Sequence, residues 1–318
     1  MKTISKKEIE KIIPDLDLIP LIENGFAQYS AGNAVIPPVG EMSFTDPPGD
    51  VHIKYGYIKN DATFVIKIAS GFYDNSKRNL PVGNGMMLIF DQQTGELLSI
   101  MLDQGLLTRV RTAVAGAIAA KHLAPESVQQ IGIIGAGNQA RLQLQYLSLV
   151  NPCREAMVFG LTTKESEQYK EDMAAHDYRV TVAKSSSELA GLCNLIVTTT
   201  PSKQPVLFWK DIQPGTHITA VGADTPAKQE LETAIFENAD VVVADSISQC
   251  LERGDISNAI RDKALNKNNI IEIGDIISGK NTGRTSPAQI TIADLTGVAV
   301  QDIQITKAIY EKSNSIVR

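Results

Sequence analysis

The hydrophobic period changes about a third of the way along the chain. Apolar residues alternate with polar ones over 51–58 and 63–69, separated by Lys59-Asn60-Asp61-Ala62, and again over 85–90 and 97–102 around Asp91-Gln92-Gln93-Thr94-Gly95. Period-2 runs bounded by turn residues predict two successive antiparallel hairpins. Ahead of them, Ser5 and Glu8 have capping-box spacing before Ile9, Ile12 and Ile13, so a helix is expected near the start. Residues 33–50 are rich in Pro and Gly and are expected to form a loop with one short edge strand.

From residue 131 the pattern becomes short apolar runs alternating with helical segments. Ile131, Ile133 and Ile134 lead into Gly135-Ala136-Gly137-Asn138-Gln139-Ala140, and Leu144 and Leu147 follow at helical spacing. That reads as strand, tight turn and helix. Gly135 suits the sharp turn, Gly137 leaves room for a pyrophosphate against the backbone, and Ala140 permits close helix–strand packing. The amide groups and positive dipole end of the new helix would face the phosphates. Further strands are expected at 156–161, 178–183, 195–200, 217–221 and 240–245. The fold class is therefore α/β: a doubly wound Rossmann domain over 119–297, beside an antiparallel-sheet α+β domain formed by 1–118. A ligand of the parallel sheet belongs outside the carboxyl ends of its strands, where 198–201 and 221–224 fall.

Composition narrows the partners. A chain of 318 residues that is 43% hydrophobic has room for two domains, and its net charge of −6 argues against nucleic acid or an anionic membrane surface. Cys153, Cys193 and Cys250 form no CxxC pair and no metal-ligand spacing, which points to buried thiols in a reducing compartment. MKTISKKEIEKII has no apolar run after its lysines, and no segment is long enough to span a bilayer, so a cytoplasmic protein is expected.

Two regions carry candidate anion contacts. Lys67, in VIKIAS, shares a strand face with Val65 and Ala69; it either lies on a solvated face or is buried against an anion. Lys54 and His52 share a face of the preceding strand. Arg109 and Arg111 lie near the start of a helix that Thr108 would cap, where cations oppose the dipole unless an anion or a salt bridge compensates.

The end of the second parallel strand normally reads the adenosine ribose: an acid there selects NAD, and an Arg accepts the 2′-phosphate of NADP. Gly160-Leu161-Thr162-Thr163-Lys164 carries neither, and Leu161 and Thr162 are expected beside the ribose. With no repelling acid, and with Thr162, Thr163 and Lys164 able to bind a 2′-phosphate, the expectation leans slightly to NADPH or dual use. Asp224, after the fifth strand in AVGADTPAKQEL, is a candidate proton donor or acceptor; the structural alternative is a cap for a helix containing Glu230 and Ile235.

Six ordered blocks resemble the ornithine cyclodeaminase and mu-crystallin family: VIKIASGFYDN, NLPVGNGMMLIFDQQTGELLSIMLD, LTRVRTAVAGAIAAKHLA, IGIIGAGNQA, AVGADTPAKQEL and GRTSPAQITIADLTGVAVQDI. The resemblance covers nearly the whole chain. It implies that residues 298–318 complete the N-terminal domain, which mediates a homodimer. Lys67 and Arg111 would hold a substrate carboxylate, and Asp224 would face the substrate nitrogen. Thr112, Gly135, Ala136, Gly137, Asn138, Gln139, Thr199 and Val221 would touch NAD(P)H. Two departures bear on activity. An Arg common in the proline-rich loop is missing from Pro37-Pro38-Val39-Gly40-Glu41, and Lys54 stands where the cyclodeaminases have a glutamate, opposing an ornithine ammonium group. The expected activity is therefore reduction of a small imino acid, such as Δ1-pyrroline-2-carboxylate, to the amino acid. A cyclodeaminase-type lyase, an alanine dehydrogenase-like enzyme and a mu-crystallin-like NADPH-binding protein are the alternatives.

Overall fold

The computed structural model describes residues 1–315, apart from the side chains of Tyr73 and Ser76; positions 316–318 of the expected C-terminal segment lie outside the described residues. The chain divides into two compact units, Met1–Arg111 with Val298–Arg318, and Thr112–Gly297. The first boundary falls at Arg111/Thr112 rather than after residue 118, inside one continuous helix with no linker to mark it.

In the first unit, β1 (Lys2–Ser5) leads into α1 (Lys6–Ile12), whose Glu8 carboxylate accepts hydrogen bonds from the Ser5 N–H (2.8 Å) and hydroxyl (2.6 Å). Helix α2 (Leu18–Ser30) follows, then β2 (Ala34–Val35), β3 (Gly40–Thr45), β4 (Pro48–Ile58), β5 (Thr63–Phe72), β6 (Gly83–Asp91) and β7 (Leu97–Leu102). These strands form one sheet in the order β1-β7-β6-β5-β4-β2, with β3 paired to β4. All its pairings are antiparallel except that of β1 with β7. The two hairpins appear as the alternation predicts. Within residues 33–50 the expected short edge strand is β3, which pairs residue for residue with 48–53 across Asp46-Pro47; more of the segment is paired than the loop reading allowed, because backbone pairing outweighs the low strand propensity of Pro and Gly. Helix α3 (Leu106–Leu123) starts here, and the C-terminal helix, Ala299–Ser315, packs against α2, β4, β5 and β6. Ile4, Ile9, Ile22, Phe26, Met87, Ile89, Met101, Ile303 and Ile309 are fully buried.

The second unit is an eight-stranded, wholly parallel sheet. Its strands are β8 (Ile131–Ile134), β9 (Glu155–Phe159), β10 (Arg179–Val182), β11 (Leu195–Thr198), β12 (His217–Ala220), β13 (Val241–Ala244), β14 (Ile270–Glu272) and β15 (Thr291–Asp294), in the order β10-β9-β8-β11-β12-β15-β13-β14. Helices α4 (Asn138–Leu147), α5 (Thr163–Ala174), α6 (Ser186–Leu192), α7 (Thr233–Asn238), α8 (Ile247–Cys250), α9 (Asp255–Arg261) and α10 (Ile273–Ile277) connect them. This is the doubly wound Rossmann architecture. Two strands escaped the sequence reading: β14 is only three residues long, and β15 enters the sheet between β12 and β13, out of chain order. Its core includes Ile134, Leu189, Ile196, Ile218, Leu231, Ile235, Phe236, Val242 and Ile292. The three cysteines are free thiols, and among the described residues no helix is long and apolar enough to cross a membrane.

Candidate active site

The glycine turn joins β8 to α4. Gly135 has φ +105°, and a Cβ there would lie 2.6 Å from Thr199 Oγ1, so only glycine fits. Its N–H donates to the Phe159 carbonyl at 2.8 Å, while the Thr199 N–H donates to the Ile134 carbonyl at 2.9 Å, which seats β8 between its neighbours. Gly137 is the N-cap of α4, with no side chain satisfying that helix end and open space where a Cβ would stand. Arg141 folds back from α4 to donate to the Ala136 and Gly137 carbonyls, and Asp172 holds its guanidinium at 2.6 Å. The carbonyls of the turn are thus occupied from within, while the amide end of the helix is left for a ligand. The Gln139 amide nitrogen is buried and lacks a hydrogen-bond partner. An uncapped helix start, an open glycine and an orphaned donor suit an anionic dinucleotide.

Asn138 opens α4, and Ala136 lies half-buried in the turn. Thr112 is half-buried on α3, its carbonyl accepting from Gln143 Nε2 at 3.1 Å. The Val221 N–H donates to the Thr198 carbonyl at 3.0 Å, just beyond the carboxyl end of β12. Leu161 is 93% exposed beyond β9. Thr162 caps α5, accepting from the Glu165 N–H, and the Glu165 carboxylate accepts from the Thr162 N–H, both at 3.2 Å. An acid therefore does stand beside the end of the second strand, one residue past the 160–164 segment in which it was expected and not found. The signal was legible as T-x-x-E spacing.

Asp224 follows the carboxyl end of β12, on the same edge of the sheet as the glycine turn. Its side chain is 46% exposed and receives Lys228 Nζ at 2.7 Å. It is not a helix cap. Helix α7 starts only at Thr233, with Glu232 at its N-cap, and Glu230 lies in extended chain because its N–H and carbonyl are bonded to neighbouring segments.

In the first unit the candidate cations meet a partner that the sequence reading overlooked. Lys67, 2% exposed, lies with Val65 on the buried face of β5, so the solvated-face alternative fails. Its Nζ is 4.0 Å from Asp302 Oδ2. Arg111, also buried, donates through Nε to Asp302 Oδ1 at 2.9 Å and through a terminal nitrogen to Gln301 Oε1 at 2.8 Å. Lys54, 8% exposed, is directly opposite Lys67 in the β4–β5 register. His52 faces Asp50 at 3.5 Å. The signal for Asp302 was a Gln-Asp pair inside the apolar run from Val298 to Ile305. The cap of α3 is also corrected: Asp103 Oδ2 accepts the Leu107 N–H at 2.8 Å, and Thr108 is inside the helix, which Asp103 can start a turn earlier. Burial pushes the Asp103 carboxyl up against these donors. Arg109 donates to the Gln104 carbonyl at 3.3 Å.

No cluster of metal-ligating side chains is present among the described residues. A cavity of about 560 Å³ lined by His122, Ser127, Asn194, Gly215 and Arg284 opens at the amino ends of β8, β11 and β12, the opposite edge from the glycine turn.

The comparisons with known proteins agree with this architecture. An uncharacterized cyclodeaminase of Sinorhizobium fredii, y4tK, is 39% identical over 98% of this chain and 96% of its own length. The alanine dehydrogenase of Archaeoglobus fulgidus is 32% identical over 98% of this chain and 95% of its own. The structure of Thermococcus litoralis Δ1-pyrroline-2-carboxylate reductase, in complex with NADH and L-proline, superposes with a TM-score of 0.93 over 99% of this chain and 98% of that one, at 27% identity. The model of the ornithine cyclodeaminase/mu-crystallin family matches residues 1–316, and the chain belongs to that family.

Proposed function

We propose that this protein is an NAD(P)H-dependent reductase of small imino acids, converting Δ1-pyrroline-2-carboxylate or a related ketimine to the L-amino acid. The observation that carries this reading is the half-exposed Asp224 carboxylate at the same carboxyl edge of the parallel sheet as the glycine turn. When bound, the nicotinamide supplies a hydride to the imine carbon. Asp224 holds the proton that the nitrogen takes up, directly or through a water, which makes that carbon electrophilic. Lys67 and Arg111, steadied by Asp302, hold the substrate carboxylate, so the reacting carbon is presented in one orientation. Lys54, buried beside Lys67, favours an anionic substrate and opposes the second ammonium group of a diamino acid. That weighs against cyclodeaminase chemistry. Retention of these polar groups weighs against a mu-crystallin-like binding role.

The dinucleotide contacts we assign are Thr112, Gly135, Ala136, Gly137, Asn138, Gln139, Leu161, Thr162, Thr199 and Val221. Glu165, whose charge opposes a 2′-phosphate next to Thr162, turns the expected lean to NADPH around, so we assign NADH as the preferred cofactor with weaker use of NADPH. The similarity to an alanine dehydrogenase supports a second reading, the same site run in the oxidative direction on an amino acid. The protein acts as a cytoplasmic homodimer paired through the first unit. A spectrophotometric screen with NADH tests the proposal, using cyclic imines, keto acids with ammonia, and ornithine. NADH consumption with a cyclic imine supports it. Conversion of ornithine with no net change in NADH overturns it.

A further inference from the structure

A buried carboxylate lies six residues beyond Asp224. Glu230 is fully buried, and its backbone is held on both sides: the N–H donates to Asp255 Oδ1 at 2.8 Å, and the carbonyl accepts from Val206 at 2.7 Å and Leu207 at 3.1 Å. From that fixed point the carboxylate reaches across the carboxyl ends of two strands. Oε2 accepts from the Thr198 hydroxyl at 2.8 Å and the Gly222 N–H at 2.7 Å, and Oε1 accepts from the Thr200 N–H at 2.5 Å. Thr198 ends β11 and is followed by Thr199; Gly222 is two residues beyond β12 and two before Asp224. The loops touch at this point, since a Cβ on Gly222 would strike the Thr200 backbone and the Glu230 carboxyl carbon.

We propose that Glu230 is a positioning residue that ties the Thr200 and Gly222 amides together and so fixes where Thr199 and Asp224 stand. The inference rests on the reading of Asp224 as the proton-handling group. A carboxylate is the group suited to the task, because both its oxygens accept, whereas an amide has one acceptor oxygen and would turn its NH2 toward an N–H donor. Burial pushes the Glu230 carboxyl up, and the hydrogen bonds it accepts from Thr198, Thr200 and Gly222 oppose that push. Asp255 supports the arrangement from below by accepting the N–H groups of Glu230 and Leu231 through one oxygen.

The test is Glu230→Gln, with Thr198→Val as the milder variant that removes one of the three donors. In Glu230→Gln, the single-turnover rate of hydride transfer from NADH should fall about 100-fold, while the Kd of ADP-ribose, which lacks the nicotinamide and samples the glycine turn and the strand end at Leu161 and Thr162, stays within about twofold. Thr198→Val should lower the rate several-fold with the imino-acid KM unchanged. Hydrogen exchange at the Thr200 and Gly222 amides should speed up in Glu230→Gln. A normal transfer rate, unchanged exchange, or a loss of ADP-ribose binding parallel to the loss of rate would each overturn the proposal. Should Glu230→Gln fail to fold, an unchanged rate in Thr198→Val would overturn it. If the wild-type protein transfers hydride to no imino acid, the functional reading fails, and the exchange measurement still decides whether the tie exists.

Discussion

Replacing Asp302 by Asn tests the buried charge arrangement of the first unit. The carboxylate is 1% exposed and faces Arg111 at 2.9 Å and Lys67 at 4.0 Å. At an effective dielectric near 20, a unit pair about 4 Å apart attracts by about 4 kcal/mol before desolvation. Removing one partner of such a buried pair costs about 3–5 kcal/mol, because the remaining charge stays out of water. Asn keeps an acceptor for Arg111 Nε, so the lower end, about 3 kcal/mol, is expected. For a unit of this size that shifts the midpoint by about 10 °C. Scanning calorimetry of wild type and Asp302→Asn reads it as a drop in the midpoint of the transition that unfolds the first unit. Lys67→Met in the Asp302→Asn background should cost less than the two single changes added, by at least about 1 kcal/mol. A midpoint within about 2 °C of wild type, together with additive effects, would refute the claim that Asp302 holds both cations.

Three further outcomes follow from the geometry. Glu165→Gln should lower the Kd for NADPH relative to NADH by about tenfold, read by nucleotide fluorescence titration; an unchanged ratio removes Glu165 from cofactor choice. If the guanidinium serves the substrate carboxylate as proposed, Arg111→Ala should raise the imino-acid KM by at least about tenfold with the NADH Kd unchanged; equal loss of both affinities would contradict that assignment. Burial and the nearby Glu230 push the Asp255 carboxyl up to about 7, above its ordinary 3.8. A raised carboxyl stabilises the fold fully below its unfolded value, and that contribution is lost as pH climbs through the window from about 4 to 7. Asp255→Asn should therefore gain stability relative to wild type between pH 5 and pH 8 by up to a few kcal/mol, measured by urea unfolding at each pH; a constant difference would refute the sign.

The parts of the fold written in periodicity were legible: the two hairpins, the β8–α4 turn and the parallel strands through β13 all stand where alternation or apolar runs place them. What escaped was set by pairing rather than by local propensity. The edge strand expected within 33–50 had no fixed position, because its Pro- and Gly-rich flanks carry no alternation, and pairing with β4 sets it at 40–45. The strand at Thr291–Asp294 reads as one more apolar run, and only the sheet reveals that it enters between β12 and β13. Among the site residues, Lys67, Arg111, Asp224 and the glycine turn were visible as residue types out of place in their surroundings. Their supports were not. Asp302 and Glu230 meet their partners from distant positions in the sequence, 191 residues from Arg111 and 32 from Thr198; the Gln-Asp pair in the apolar run at 298–305 marks Asp302 as out of place but does not tell which cations it meets. Glu165 was visible in the capping box of α5 but stands just past the strand end where an acid is normally found.

The central claim is that Asp224 handles a proton while hydride passes to an imine carbon. The most direct measurement follows NADH absorbance in wild type and Asp224→Asn with Δ1-pyrroline-2-carboxylate, alongside the NADH Kd of each protein. The account predicts that wild type consumes NADH, and that Asp224→Asn binds NADH normally but turns over at least about 100-fold more slowly. Turnover in Asp224→Asn within a factor of two or three of wild type would contradict it.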